Sequence, residues 1–121
     1  MILIVEDDPQ VSRLIELVLK RMGRESKTMS GGDAALKHAR AEHPSLVIAD
    51  LGVKGLAGDA LCSLLKSDEQ TCGIPVIILS GDRDIREKAD GCGADAYLGK
   101  PFEFEELTRL VEKYADDDKA D

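Results

Sequence analysis

Apolar residues gather in four short runs, and each run ends in polar or charged residues. The runs cover residues 1–5, 46–50, 76–80 and 96–98. A continuous apolar run of this length is typical of a strand that is buried on both faces of a parallel sheet. A more polar segment, residues 24–29, predicts a weak strand at or near a sheet edge. The pattern therefore predicts five strands.

Helical periodicity fills the intervals between these strands. Between residues 9 and 22, apolar positions recur at i, i+3, i+4 and i+7, after Asp8 as a cap and Pro9 as the first helical residue. Shorter patterns predict four more helices, over residues 33–42, 59–66, 82–89 and 102–114. The helix at 82–89 has only Ile85 and Ala89 as apolar anchors, so we expect it to be weakly held.

Strands that alternate with helices predict an α/β fold, a doubly wound parallel sheet with helices on both faces. The pattern alone does not choose between a flavodoxin-like strand order and a nucleotide-binding one. We expect one domain over residues 1–115. The acidic segment 116–121 is interpreted as a disordered tail or the stub of a linker.

Charge and composition narrow the class of protein. A net charge of −8 and a pI near 4.7 argue against a nucleic-acid-binding domain, whose surface is basic. No apolar run approaches the roughly 20 residues of a membrane span, and no basic stretch precedes the first apolar run as in a signal peptide. The three cysteines lack metal-ligand spacing, so reduced thiols in a cytoplasmic protein are expected.

Chemistry-bearing side chains follow the predicted strands. Asp7 and Asp8 follow the first strand, Asp50 ends the third, Ser80 ends the fourth and Lys100 follows the fifth. Because the carboxyl ends of parallel strands meet at one edge of a sheet, we expect these five side chains to lie close together. Acids at the first turn would repel a pyrophosphate, which excludes a Rossmann site and a P-loop.

Carboxylates that converge on one point need a counter-charge. Hard oxygen ligands without a nearby His or Cys are typical of Mg²⁺, which also keeps waters for substrate oxygens. A carboxylate nucleophile, Mg²⁺, a lysine and a hydroxyl together indicate phosphoryl transfer.

These motifs resemble the receiver domain of two-component response regulators, and the chain is similar to the single-domain chemotaxis receiver. The matching positions are the Glu6-Asp7-Asp8 turn, Asp50, Gly55, Gly58, Ser80 and the segment at 93–102. The resemblance spans residues 2 to about 114. It implies a flavodoxin-like (βα)5 three-layer sandwich around a five-stranded parallel sheet.

The resemblance also implies a role for each residue of the sheet edge. Asp50 would be the phosphoacceptor, and Mg²⁺ would be held by Asp7 or Asp8, by Asp50 and by the carbonyl of Gly52. Lys100 would bind a phosphoryl oxygen.

A switch is implied as well. Ser80 would turn towards the phosphoryl group, and Tyr97 would move inward behind it. The surface of the fourth helix, last strand and final helix would report the change. The Lys100-Pro101 peptide bond would be cis.

The implied partners are a histidine kinase or a histidine phosphotransfer protein as donor, and an output domain or target protein downstream. Such a domain catalyses its own phosphorylation and dephosphorylation and is not a turnover enzyme. The alternative is a Mg²⁺-dependent phosphohydrolase with an aspartyl nucleophile. Those hydrolases usually carry a second aspartate two residues after the nucleophile, where this chain has Gly52.

Overall fold

Five strands and five helices alternate along residues 1–115, the part of the chain that the computed structural model describes. The strands are β1 (Ile2–Val5), β2 (Ser26–Met29), β3 (Leu46–Asp50), β4 (Val76–Ser80) and β5 (Ala96–Gly99). The helices are α1 (Pro9–Arg21), α2 (Gly32–Glu42), α3 (Gly58–Ser67), α4 (Ile85–Cys92) and α5 (Phe104–Tyr114). The tail predicted at 116–121 lies outside the described residues. Within them, no helix has the length and apolar character needed to cross a membrane.

All five strands are parallel and lie in the order β2-β1-β3-β4-β5. The flavodoxin-like fold is therefore confirmed. The strand order reverses between β1 and β3, so the helices that follow these two strands cover opposite faces of the sheet. The crevice at the carboxyl ends of these strands is where open α/β sheets bind ligands.

The sheet is buried on both faces, as the continuous apolar runs predicted. Leu3, Val5, Val47, Ala49, Val76 and Ile78 face α2, α3 and α4. Ile2, Ile4, Leu46, Ile48, Ile77 and Leu79 face α1 and α5. The two edge strands are exceptions. The four residues of β2 are only partly buried or exposed, and in β5, which contains the fourth apolar run, only Leu98 is buried.

Helix α4 begins and ends three residues later than predicted. The backbone N–H of Asp82 donates to the Ser80 hydroxyl, at 2.9 Å, so the chain turns before the helix can start. Gly91 lies inside the helix, and Gly93 ends it with a left-handed φ of 81°. The small apolar face is confirmed, since the buried residues of α4 are Ile85, Ala89 and Cys92.

Two large apolar side chains, one in α3 and one in α5, are exposed rather than buried. Leu64 is 39% exposed, because Leu61 and Leu65 occupy the buried face of α3. Phe104 is 48% exposed, because it is the first residue of α5 and precedes the turn that packs against the sheet.

Candidate active site

Asp50 is a buried carboxylate at the carboxyl end of the central strand β3. Its Oδ1 lies 2.7 Å from Nζ of Lys100, and its Oδ2 accepts a 2.8 Å hydrogen bond from the backbone N–H of Gly52. A Cβ on residue 52 would lie 3.1 Å from Oδ2 of Asp50, so this side of the carboxylate is tightly fitted. The position of Asp50 in the fold is the one predicted from its strand.

Lys100 follows β5 and joins two carboxylates. Its Nζ lies 2.7 Å from Oδ1 of Asp50 and 2.8 Å from Oε1 of Glu6. A lysine ammonium carries three protons, so one remains for a further acceptor. Partial burial lowers the pKa of Lys100, but the hydrogen bonds and charges of Asp50 and Glu6 outweigh burial and raise that pKa above its usual value. The ammonium therefore stays charged.

Glu6, Asp7 and Asp50 form a group whose carboxylate oxygens lie within 4.8 Å of one another. Lys100 offsets only one of their three negative charges, and the two that remain match the charge of a divalent cation. The donor set is oxygen only, as Mg²⁺ prefers. These residues fit the Mg²⁺ that the resemblance implies.

Asp8 does not belong to this group. Its Oδ1 accepts a 2.9 Å hydrogen bond from the backbone N–H of Gln10, which makes Asp8 the cap of α1. Its own N–H donates to Oε2 of Glu6, at 3.2 Å. The geometry therefore favours Glu6, rather than Asp8, as the partner of Asp7.

The resemblance implies Asp7 or Asp8 as the acid that would bind Mg²⁺ and assigns no role to Glu6. Glu6 lies one position beyond β1, and its side chain is buried against Lys100. The sequence Asp8-Pro9 could have indicated this, because it is a strong helix start in which Asp8 caps α1, which leaves Glu6 and Asp7 to face Asp50.

Ser80 ends β4 and lies on the wall of the cleft above Asp50. Its hydroxyl accepts from the N–H of Asp82, and its carbonyl accepts a 2.8 Å hydrogen bond from the N–H of Lys100. The cleft has a volume of about 520 Å³. Asp50, Gly52, Ser80 and Lys100 line it, so the structure brings together the predicted nucleophile, hydroxyl and lysine.

Tyr97 lies on β5, away from this cleft. Its side chain is 41% exposed and lines a shallow groove against α5 with Glu106, Arg109 and Leu110. The Lys100-Pro101 peptide bond is cis, as the resemblance implies.

The family described as "Response regulator receiver domain" matches residues 2–112. The chain belongs to this family. A relative from Synechocystis sp., the "DNA-binding dual master transcriptional regulator RpaA", is 36% identical over 112 residues. That match covers 91% of this chain and 46% of the relative, so the receiver domain spans about half the length of the curated relatives it matches.

Solved structures agree with the family assignment. A response regulator from Chloroflexus aurantiacus superposes with a TM-score of 0.90 at 32% identity, over 95% of this chain and 96% of the other. The receiver domain of the sensor histidine kinase PA1611 from Pseudomonas aeruginosa superposes with a TM-score of 0.87 at 26% identity, over the same shares of the two chains. That structure has a magnesium ion coordinated in its active-site cleft.

Proposed function

We propose that this receiver domain accepts a phosphoryl group on Asp50 from a phosphohistidine of a histidine kinase or a histidine phosphotransfer protein. The observation that carries the proposal is the contact of Asp50 with Lys100, at 2.7 Å, beside the acidic group of Glu6 and Asp7. It unites a nucleophile, a fixed cation and a cation-binding group in one open cleft.

In the proposed transfer, a carboxylate oxygen of Asp50 attacks phosphorus while the bond from phosphorus to the donor imidazole nitrogen breaks. The imidazole nitrogen keeps that electron pair. Lys100 donates a hydrogen bond from its third ammonium proton to one phosphoryl oxygen. The Ser80 hydroxyl turns away from the N–H of Asp82 and donates a hydrogen bond to a second phosphoryl oxygen. Mg²⁺, held by Asp7, Asp50 and the Gly52 carbonyl with Glu6 beside them, would supply positive charge against the phosphoryl oxygens.

The chemistry proposed is one transfer per chain rather than hydrolytic turnover. Gly52 has no side chain, so the position two residues after Asp50 offers no general acid. None of the similarities favours the hydrolase alternative.

Incubation with acetyl phosphate and Mg²⁺ tests this function. We expect intact-mass spectra to show one phosphoryl group per chain, and the adduct to decay once the donor is removed. Continuous release of phosphate, at many turnovers per minute without a stable stoichiometric adduct, would support the hydrolase instead.

The proposed output surface comprises α4, β5 and α5. The buried face of α4 is small. Ser80 is next to Gly99 of β5 in the sheet, and its carbonyl accepts a hydrogen bond from the N–H of Lys100, so a movement of Ser80 would affect the end of β5. Tyr97 lies on β5, where it has room to change rotamer. The equilibrium between the two arrangements would shift on phosphorylation.

We expect beryllofluoride, which stands in for the phosphoryl group on Asp50, to change hydrogen exchange most within residues 80–107. Helices with few buried contacts open at low free energy, so α4 should respond most outside the site itself. A response centred on α2 would be incompatible with this output surface.

The proposed setting is a cytoplasmic two-component system. The negative charge of the domain is unsuited to a DNA backbone, so we assign contact with an output domain or target protein to it, and no nucleic-acid or membrane binding.

A further inference from the structure

Lys88 is a cation in the wall of the cleft that the proposed transfer does not use. It lies on α4 and lines the cleft together with Asp50, Ser80 and Lys100. It also lines the adjoining groove between α3 and α4. Its side chain is 39% exposed, so it reaches the solvent at the mouth of the cleft.

Three carboxylates surround Lys88, and we call them the acidic rim. Asp59 and Asp82 line the cleft, and Asp84 precedes α4. Nζ of Lys88 lies 3.5 Å from Oδ2 of Asp82 and 3.7 Å from Oδ2 of Asp84. The charge of Asp84 raises the pKa of Lys88 most, Asp82 and Asp59 add to the rise, and desolvation opposes it. Lys88 therefore remains an ammonium.

The rim matters because the donor is an anion. Without Lys88, a donor would approach Asp50 past carboxylates whose negative charge is unopposed there. Charges at the mouth of a cleft change the local concentration and association rate of a charged ligand by roughly 10-fold or more. The repulsion grows with the charge of the donor, so a dianion is affected more than a monoanion.

We propose that Lys88 determines which small phosphodonors reach Asp50, by neutralising the acidic rim so that a dianionic acyl phosphate can enter. The inference rests on the proposed function of Asp50. In the reaction with an acyl phosphate, the Asp50 oxygen forms a bond to phosphorus, the bond to the acyl oxygen breaks, and the carboxylate leaves with its electron pair. Lys88 takes no part in these bond changes and acts on the approach of the donor.

The experiment compares two donors on the Lys88→Gln variant at saturating Mg²⁺ and neutral pH. Acetyl phosphate is mainly a dianion under these conditions, and phosphoramidate is mainly a monoanion. At an ionic strength of about 0.02 M, we expect phosphorylation of Lys88→Gln by acetyl phosphate to be roughly 5-fold slower than wild type, and by phosphoramidate less than about 2-fold slower. At about 1 M salt, where the Debye length is ~3 Å, the difference between donors should vanish.

Arg86→Gln is the matched control. Arg86 is exposed on the same helix but is not among the residues that line the cleft, and its replacement removes the same charge. We expect its rates to stay within about 2-fold of wild type. Adding Asp82→Asn to Lys88→Gln should restore much of the lost rate, because it removes one carboxylate of the rim.

The outcomes separate the two proposals. A wild-type protein that no donor labels would overturn the function of Asp50 and this inference with it. A labelled wild type with an unchanged Lys88→Gln rate would overturn the assignment of Lys88 alone. A loss that is equal for both donors and independent of salt would also overturn it, because it would indicate a structural effect of Lys88 rather than a charge effect.

Discussion

The Asp50→Asn variant is expected to lose phosphorylation by acetyl phosphate completely. Asparagine has nearly the shape of aspartate, but its neutral amide lacks the carboxylate oxygen that would form the acyl phosphate. Intact-mass spectra should show no adduct under conditions that label the wild type fully. A phosphoryl adduct of unchanged stoichiometry on Asp50→Asn would place the acceptor elsewhere.

The fold of this variant should survive. Lys100 keeps its 2.8 Å contact with Glu6, and the amide oxygen can still accept a hydrogen bond from Gly52. We therefore expect a change of no more than about 1 kcal/mol in the free energy of unfolding, measured by urea denaturation. Asp90→Asn, an exposed aspartate of α4, is the control and should be labelled like the wild type.

The sequence was sufficient for most of the fold because three of its five strands are buried on both faces. A strand with helices above and below must be apolar at every position, and β1, β3 and β4 are readily distinguished from amphipathic helices for that reason. The alternation of strands and helices then restricts the connections. The order of strands needed the resemblance, since several doubly wound sheets share the same pattern.

The bounds of helix α4 were predicted less accurately, because its sequence contains few of the features that define a helix. Three buried residues in eight give a weak periodicity, and the Ser80 hydroxyl bonds the N–H of Asp82 in place of a helical start. Gly91 reads as a helix breaker, but a glycine interior to a helix costs only about 1 kcal/mol, which packing of Ile85 and Cys92 offsets. Local competition of this kind is not visible in periodicity.

The acidic turn after β1 shows which part of the site could not be predicted from the sequence. Three successive acids follow β1, and the sequence does not say which of them turn towards Asp50. In the structure the chain bends so that Glu6 is buried against Lys100 while Asp8 faces the first turn of α1. The contact of Glu6 with Lys100 decides this, and the two residues are 94 positions apart in sequence.

Magnesium is expected to raise the melting temperature of the wild type. Glu6, Asp7 and Asp50 repel one another in the folded state, and a cation that binds only this state stabilises it by mass action. At a concentration about ten times the dissociation constant the gain is roughly 1.4 kcal/mol, or about 5 °C for a domain of this size. The control is sodium chloride at equal ionic strength, which should not reproduce the rise.

Two neighbouring aspartates should respond in opposite ways. Asp7→Ala removes one of the three converging carboxylates, so we expect an unchanged or higher melting temperature without metal and most of the magnesium-dependent rise to be lost. Asp8→Ala removes the acceptor for the N–H of Gln10, so the metal-free protein should lose about 1 kcal/mol while the rise is retained.

Differential scanning calorimetry of the wild type, Asp7→Ala and Asp8→Ala, with and without Mg²⁺, distinguishes a metal ligand from a helix-capping residue. The change in melting temperature on adding Mg²⁺ reports binding, and the metal-free value reports capping. If Asp8→Ala lost the rise and Asp7→Ala kept it, Asp8 would be the ligand and the helix cap would be incidental. If the wild type showed no rise at saturating Mg²⁺, a preformed cation site at Glu6, Asp7 and Asp50 would be ruled out.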